Sequence, residues 1–192
     1  MKLAWVWFTL AIVVEISRAQ KCKARKPKNR HGVEPILLID KETQLKFDNY
    51  LTTIPVLGTE WKVSFYLKYY QNNPNNQGTS TFFMEDSTGN KRPTINGHAG
   101  NSRIHVYHFV DGSEKAFTYP LTLNVYHFIE MEQRYISGGN YEFRFSVDGV
   151  VIQTSLLTQD IHLRYDVKLY AANKNIPTSP AYIKQLEFVN IF

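Results

Sequence analysis

Glu130 and Glu132, in FIEMEQ, are two carboxylates at i and i+2. On a β-strand that spacing puts both on one face, which suits a glycosidase: a retaining enzyme needs its two carboxyl groups about 5–5.5 Å apart, roughly this spacing, and an inverting one about 6.5–9.5 Å. The same pattern also describes an outward acidic stripe on a strand whose other face, with Ile129 and Met131, is core, and both readings stand at this point. A second acidic group, Glu85, Asp86 and Asn90 in MEDSTGN, offers oxygen ligands of the kind calcium takes, although a calcium ion wants six to eight of them and plain turn chemistry explains the same residues. His98, His105, His108 and His127 form no helical pair, and His105 and His108 have opposite parity on a strand, so they cannot share a zinc ion. With no G-x-S-x-G, no glycine-rich phosphate loop and no cysteine within the body of the chain, nucleophilic and phosphoryl-transfer chemistry have no foothold, and no metal or cofactor is expected.

Aromatic side chains beside polar groups carry a different chemistry. Lys62, Tyr66, Lys68 and Tyr70 share the parity opposite to the apolar set of their strand, and Arg103, His105 and Tyr107 form a similar set, or its alternate, on another. Sugars are held by ring faces flanked by hydrogen-bonding groups, so these seven residues are the candidate ligand contacts, with the Asn- and Gly-rich QNNPNNQG and INGHAGN as a rim. The competing explanation is that tyrosines simply favour strands.

The elements that must position these groups are strands. EWKVSFYLKYY alternates strictly, with Trp61, Val63, Phe65, Leu67 and Tyr69 on one side. NYEFRFSVDGVVIQT reads as a hairpin around Asp148-Gly149, and SRIHVYHFV, Asp111-Gly112 and KAFTYPLTL as another. STFFMED, YHFIEMEQR, DVKLYA and YIKQLEFVN add further strands, while QNNPNNQG (71–78) and RPTINGHAGN (92–101) read as loops. About ten short strands and no helical repeat predict an all-β, two-sheet antiparallel sandwich over residues 33–192.

The N-terminal stretch sets the compartment. Met1-Lys2, the apolar run 3–14 and the small residues Ser17 and Ala19 predict a cleaved signal peptide over 1–19, too short to span a bilayer, and hence an exported chain. Residues 20–32 read as a flexible basic arm in which Lys21, Lys23, Arg25, Lys26, Lys28 and Arg30 surround the single cysteine, Cys22. From His31 onward the chain has 14 Lys or Arg against 16 Asp or Glu, so the net charge of +5 belongs to the N-terminal region and not to the domain. That distribution argues against nucleic acid as the partner and leaves the arm as a contact for anionic glycans, a solvated spacer or a processed propeptide. In an oxidising compartment Cys22 has no internal partner, so a disulfide-linked homodimer or a tether to another protein is expected, with a free thiol as the alternative. The chain carries no N-x-S/T acceptor.

The order of segments after residue 120 resembles secreted concanavalin A-like or laminin G-like modules. The resemblance rests on Tyr126, Ile129 and Met131, on the Asp148-Gly149 turn, on Val167, Leu169, Tyr170 and Ala171, and on Tyr182, Ile183, Lys184 and Leu186. It implies a jelly roll whose sheet face and edge loops bind glycans or matrix proteins, in some relatives with calcium. The E-x-D-x-x-E pattern of laminarinase-like relatives is incomplete here, since positions 131 and 134 are not acidic. The expectation is therefore a non-enzymatic secreted module that recognises extracellular glycan or matrix components, with a structural protein lacking a sugar site as the alternative and a glycoside hydrolase third.

Overall fold

The computed structural model describes residues 33–74, 77–173 and 175–191. The expected signal peptide, the basic arm and Cys22 lie outside the described residues.

Alternation of apolar and polar residues dictates strands almost throughout, and among the described residues thirteen form. One sheet contains β1 (Ile36–Ile39), β13 (Ala181–Ile191), β4 (Glu60–Tyr69), β9 (His127–Ser137), β10 (Asn140–Val147) and β11 (Val150–Leu157) in that spatial order, with β2 (Thr43–Gln44) also pairing β13. The other runs β3 (Tyr50–Leu57), β12 (Arg164–Tyr170), β5 (Thr79–Glu85), β6 (Lys91–Gly97), β7 (Arg103–Val110) and β8 (Ser113–Pro120). Neighbouring strands are antiparallel in both sheets. Sheet packs on sheet in the expected two-layer jelly-roll sandwich, with one continuous core between the layers.

The core sits where parity places it. Val63, Phe65, Leu67 and Tyr69 of β4 are fully buried, as are Ile129 and Met131 of β9 and Phe145 of β10. They meet Phe82, Ile95, Ile104, Val106 and Leu169 from the other layer. Removing such apolar surface from water, at about 25 cal/mol per Å², is the dominant favourable contribution to holding the layers together. Within the core, Tyr69 has its hydroxyl 2.8 Å from Thr81 Oγ1 and 3.2 Å from Ser179 Oγ, and Thr79 Oγ1 lies 2.8 Å from that same serine oxygen. Gly97 makes room for this hydroxyl cluster, since a Cβ there would stand 2.4 Å from Thr79 Oγ1.

Both Asp-Gly hairpins form. Asp111 and Gly112 have φ of 49° and 78°, and Asp148 and Gly149 have 52° and 79°, the left-handed pair that a two-residue turn requires. One expectation fails: residues 92–101 are not all loop, because β6 occupies Lys91–Gly97. A strand tolerates Pro93 here because the β5–β6 register shifts between Phe83 and Glu85, opposite it, so the missing N–H falls at an irregularity where no regular ladder bond is lost.

Candidate functional site

The two sets of expected ligand contacts lie on opposite outer faces of the sandwich. Lys62, Tyr66 and Lys68 project from β4 out of the seven-stranded sheet, followed by Tyr70 just beyond it. Arg103, His105 and Tyr107 project from β7 out of the six-stranded sheet, while Ile104, Val106 and His108 point inward. No single ligand of sugar size can touch both.

On the seven-stranded face the polar groups already have partners. Lys68 and Lys184 lie 4.5 and 4.0 Å from the ring centre of Tyr126, and Lys68 also lies 3.4 Å from Glu42. The Tyr126 hydroxyl donates to Glu42 Oε2. That hydrogen bond holds the Glu42 carboxyl below the ordinary carboxylate range, and burial followed by the same contact pushes the Tyr126 phenol up. Tyr66 packs against Phe128 at 5.0 Å, and Tyr70 against Tyr182 at 5.3 Å. Further along, Glu130 pairs with Lys62, Glu132 stands 3.6 Å from Arg144, and Glu142 is gripped by Arg134 at 2.8 Å and Arg144 at 2.9 Å. Partial burial pushes the Glu142 carboxyl up, but the two guanidinium groups outweigh it and hold it below the usual range. Glu130 and Glu132 do share an outward face, with Ile129 and Met131 in the core, and both carboxylates are engaged in ion pairs.

The six-stranded face is arranged differently. Cross-strand register aligns Thr178, Ser80, Asn96, His105 and Thr118 in one row. A parallel row holds Tyr50, Tyr170, Phe83, Thr94, Tyr107 and Ala116. Within that row Phe83 and Tyr170 stack at 4.6 Å and are buried. Tyr107 lies over His105 at 4.4 Å between ring centres, with its hydroxyl 3.1 Å from His105 Nδ1, and His98 flanks the pair at 6.3 Å. Burial, helped by the neighbouring His98, pushes the His105 imidazole down, and burial raises the Tyr107 phenol. Four polar atoms here, Ser80 Oγ, Thr94 Oγ1, Asn96 Oδ1 and Thr178 Oγ1, are buried without a hydrogen-bond partner. Each such atom costs roughly 1–3 kcal/mol unless something supplies the missing bond. Asn96, Thr94, Ser80 and Thr178 were not legible as a site, because three of them sit in segments that read as loop or turn and the fourth, Ser80, depends on register across the sheet.

The remaining expected contacts are structural. Asn73 of QNNPNNQG is buried and donates to the carbonyls of Gln77 at 3.1 Å and His98 at 3.3 Å, so it ties two loops together. Asp86 Oδ1 accepts from the N–H groups of Thr88 at 3.0 Å and Asn90 at 3.1 Å and from the Thr88 hydroxyl at 2.6 Å, forming a turn out of the residues considered for calcium. Among the described residues no group of three His, Cys, Asp or Glu side chains could hold a metal ion, and no helix is long and apolar enough to cross a membrane.

No protein-family model matches the sequence, and no curated protein is significantly similar to it. Among solved structures, the binding domain of botulinum neurotoxin serotype D matches at a TM-score of 0.54 and 11% identity, over 86% of this chain and 46% of that one. An endo-β-1,4-glucuronan lyase from the fungus Trichoderma reesei matches at 0.51 and 9% identity, over 87% of this chain and 90% of that one. This chain thus spans about half the length of the toxin domain it resembles. Likeness at such identity is likeness of fold, and it agrees with the jelly-roll sandwich derived from the residues.

Proposed function

We propose that this chain is an exported glycan-binding module whose ligand lies across the outer face of the six-stranded sheet, on Asn96, His105 and Tyr107, with Arg103 at one end. The observation that carries the proposal is the His105–Tyr107 ring pair, 4.4 Å apart and tilted by 31°, set among outward-facing polar side chains four of whose oxygens have no hydrogen-bond partner. A carbohydrate supplies many hydroxyl groups, each able to donate and accept, together with apolar C–H faces that rest on rings, which is what this surface lacks. Both fold neighbours named above, a toxin binding domain and a polysaccharide lyase, are compatible with that reading, as is the concanavalin A-like or laminin G-like resemblance of the later strands. The alternative, a structural module with no sugar site, leaves the four unpaired atoms without a role.

A glycan array probed with the full chain tests the proposal, followed by calorimetry on the best ligand. Asn96→Ala, His105→Ala and Tyr107→Ala are each expected to weaken binding about tenfold or more, corresponding to about 1.4 kcal/mol. Tyr66→Ala and Lys68→Ala on the opposite face are expected to leave it unchanged, and addition of EDTA likewise. The reverse pattern would move the site to the seven-stranded face.

A second, catalytic reading rests on the same pair. A neutral His105 imidazole next to a protonated Tyr107 can accept a proton from carbon and return one to a departing sugar oxygen, the two transfers that break a uronate polymer by elimination, while Arg103 offsets the carboxylate charge. Incubation with a polyuronate, monitored for the unsaturated product, separates the readings. Turnover that disappears in Tyr107→Phe supports catalysis, and binding without product supports the module.

A further inference from the structure

At one open edge of the sandwich the core-facing register carries polar side chains. On β7 and β8 the inward positions beyond Val106 and Phe117 are His108 and, directly opposite it, Lys115. On β11, the edge strand of the other layer, Gln153 and Ser155 stand opposite the core residues Phe145 and Phe143. The core residues next to them, Val106, Phe143 and Phe145, are apolar, and a polar side chain taken out of water at such a position costs stability unless it is hydrogen-bonded. These four side chains, with Val110 and Phe117, line an open cleft of about 380 Å³, within the size range of small-molecule sites.

His108 is built into its floor. It is 3% exposed, stacked on Phe143 at 4.4 Å with 14° between the planes, and its Nε2 lies 2.8 Å from Ser155 Oγ, while Nδ1 has no partner. Burial, reinforced by the Lys115 charge, pushes the imidazole down to about 4, so it is neutral at physiological pH. A hydroxyl offers one donor and two acceptor sites, so Ser155 keeps hydrogen-bonding capacity toward the cleft after its contact with His108. The pair is poorly suited to nucleophilic chemistry, which needs a basic imidazole oriented by a carboxylate at its other nitrogen. No acid lines the cleft, and Lys115 forms no ion pair among the described residues.

We propose that this inter-sheet cleft binds an amphipathic organic acid, with its carboxylate held by Lys115, Ser155 and Gln153 and its apolar body against Phe117 and Val110. The site is separate from the outer face assigned to glycan and does not depend on that assignment. Titration of the full chain with sodium octanoate, by calorimetry and by NMR of the His108 ring, tests it. The expected result is saturable binding at one site, accompanied by movement of the His108 resonances, with octylammonium bound about tenfold more weakly or worse. Lys115→Met is expected to lose the preference for the acid. Ser155→Val takes the hydroxyl out of the cleft and is expected to abolish binding while the chain stays folded by circular dichroism. Lack of saturable octanoate binding, equal binding of octylammonium, still His108 resonances, or undiminished binding in both variants would overturn the proposal.

Discussion

His108 keeps an imidazole neutral over a pH range in which a free imidazole gains a proton. Its pKa is pushed down from 6.5 to about 4 by burial and by Lys115, so between those values the unfolded chain binds a proton that the folded chain does not. The contribution is therefore fully present above pH 6.5 and is lost as pH falls through that window, by an amount on the order of 2–3 kcal/mol. Urea midpoints measured at pH 7 and pH 4.5 are expected to differ more in the wild type than in His108→Phe, whose ring has no proton to gain. Steric demand sets another residue apart. At Gly97 an added methyl would meet Thr79 Oγ1 at 2.4 Å and Tyr69 Oη at 2.9 Å, so Gly97→Ala is expected to lose about 1–3 kcal/mol by overpacking, read from the same midpoints. Parity along SRIHVYHFV separates His105 from His108 in the sequence itself, but nothing in the sequence alone shows that one faces solvent beside Tyr107 and the other faces Ser155. The choice depends on which face of β7 meets the other sheet, a property of the packed layers.

Among the elements, the hairpins were the most legible because the turn chemistry is local. Asp148 shows why an aspartate fits there: besides its left-handed φ, its carboxylate accepts from the Phe128 N–H at 2.8 Å and contacts His127 Nδ1 at 2.7 Å, binding the β10–β11 turn to the start of β9. Asp148→Ala removes both contacts from a half-exposed group and is expected to cost about 1 kcal/mol, whereas Asp148→Asn keeps the turn and part of the hydrogen bonding and is expected to cost less. Strands interrupted by proline were legible only in part. Pro55 sits in β3, an edge strand, and Pro93 sits opposite an irregularity in register, the two situations in which a strand tolerates a residue without an N–H. Neither the edge position nor the register shift leaves a trace in the local sequence. The row formed by Ser80, Asn96 and His105 escaped the sequence for the same reason, since it exists only once β5, β6 and β7 are in register.

At the scale of the whole molecule, charge is distributed unevenly along the chain. The body from His31 onward has 14 basic against 16 acidic side chains, and on its seven-stranded face Glu130, Glu132 and Glu142 are neutralised by Lys62, Arg134 and Arg144. Such a surface has little long-range attraction for a polyanion. Six basic side chains between Lys21 and Arg30 do have it, so any affinity for a sulfated polysaccharide belongs to that segment and is expected to fall steeply with salt. Replacing Lys21, Lys23, Arg25, Lys26, Lys28 and Arg30 by Gln is therefore expected to reduce heparin retention to background. The binding proposed at the Asn96–His105–Tyr107 face, through hydrogen bonds and ring contacts, should change little in that variant or in high salt. Retention that survives the six replacements would place the polyanion on the sandwich, and a face ligand released by salt would mean that Arg103 carries more of the binding than the rings do.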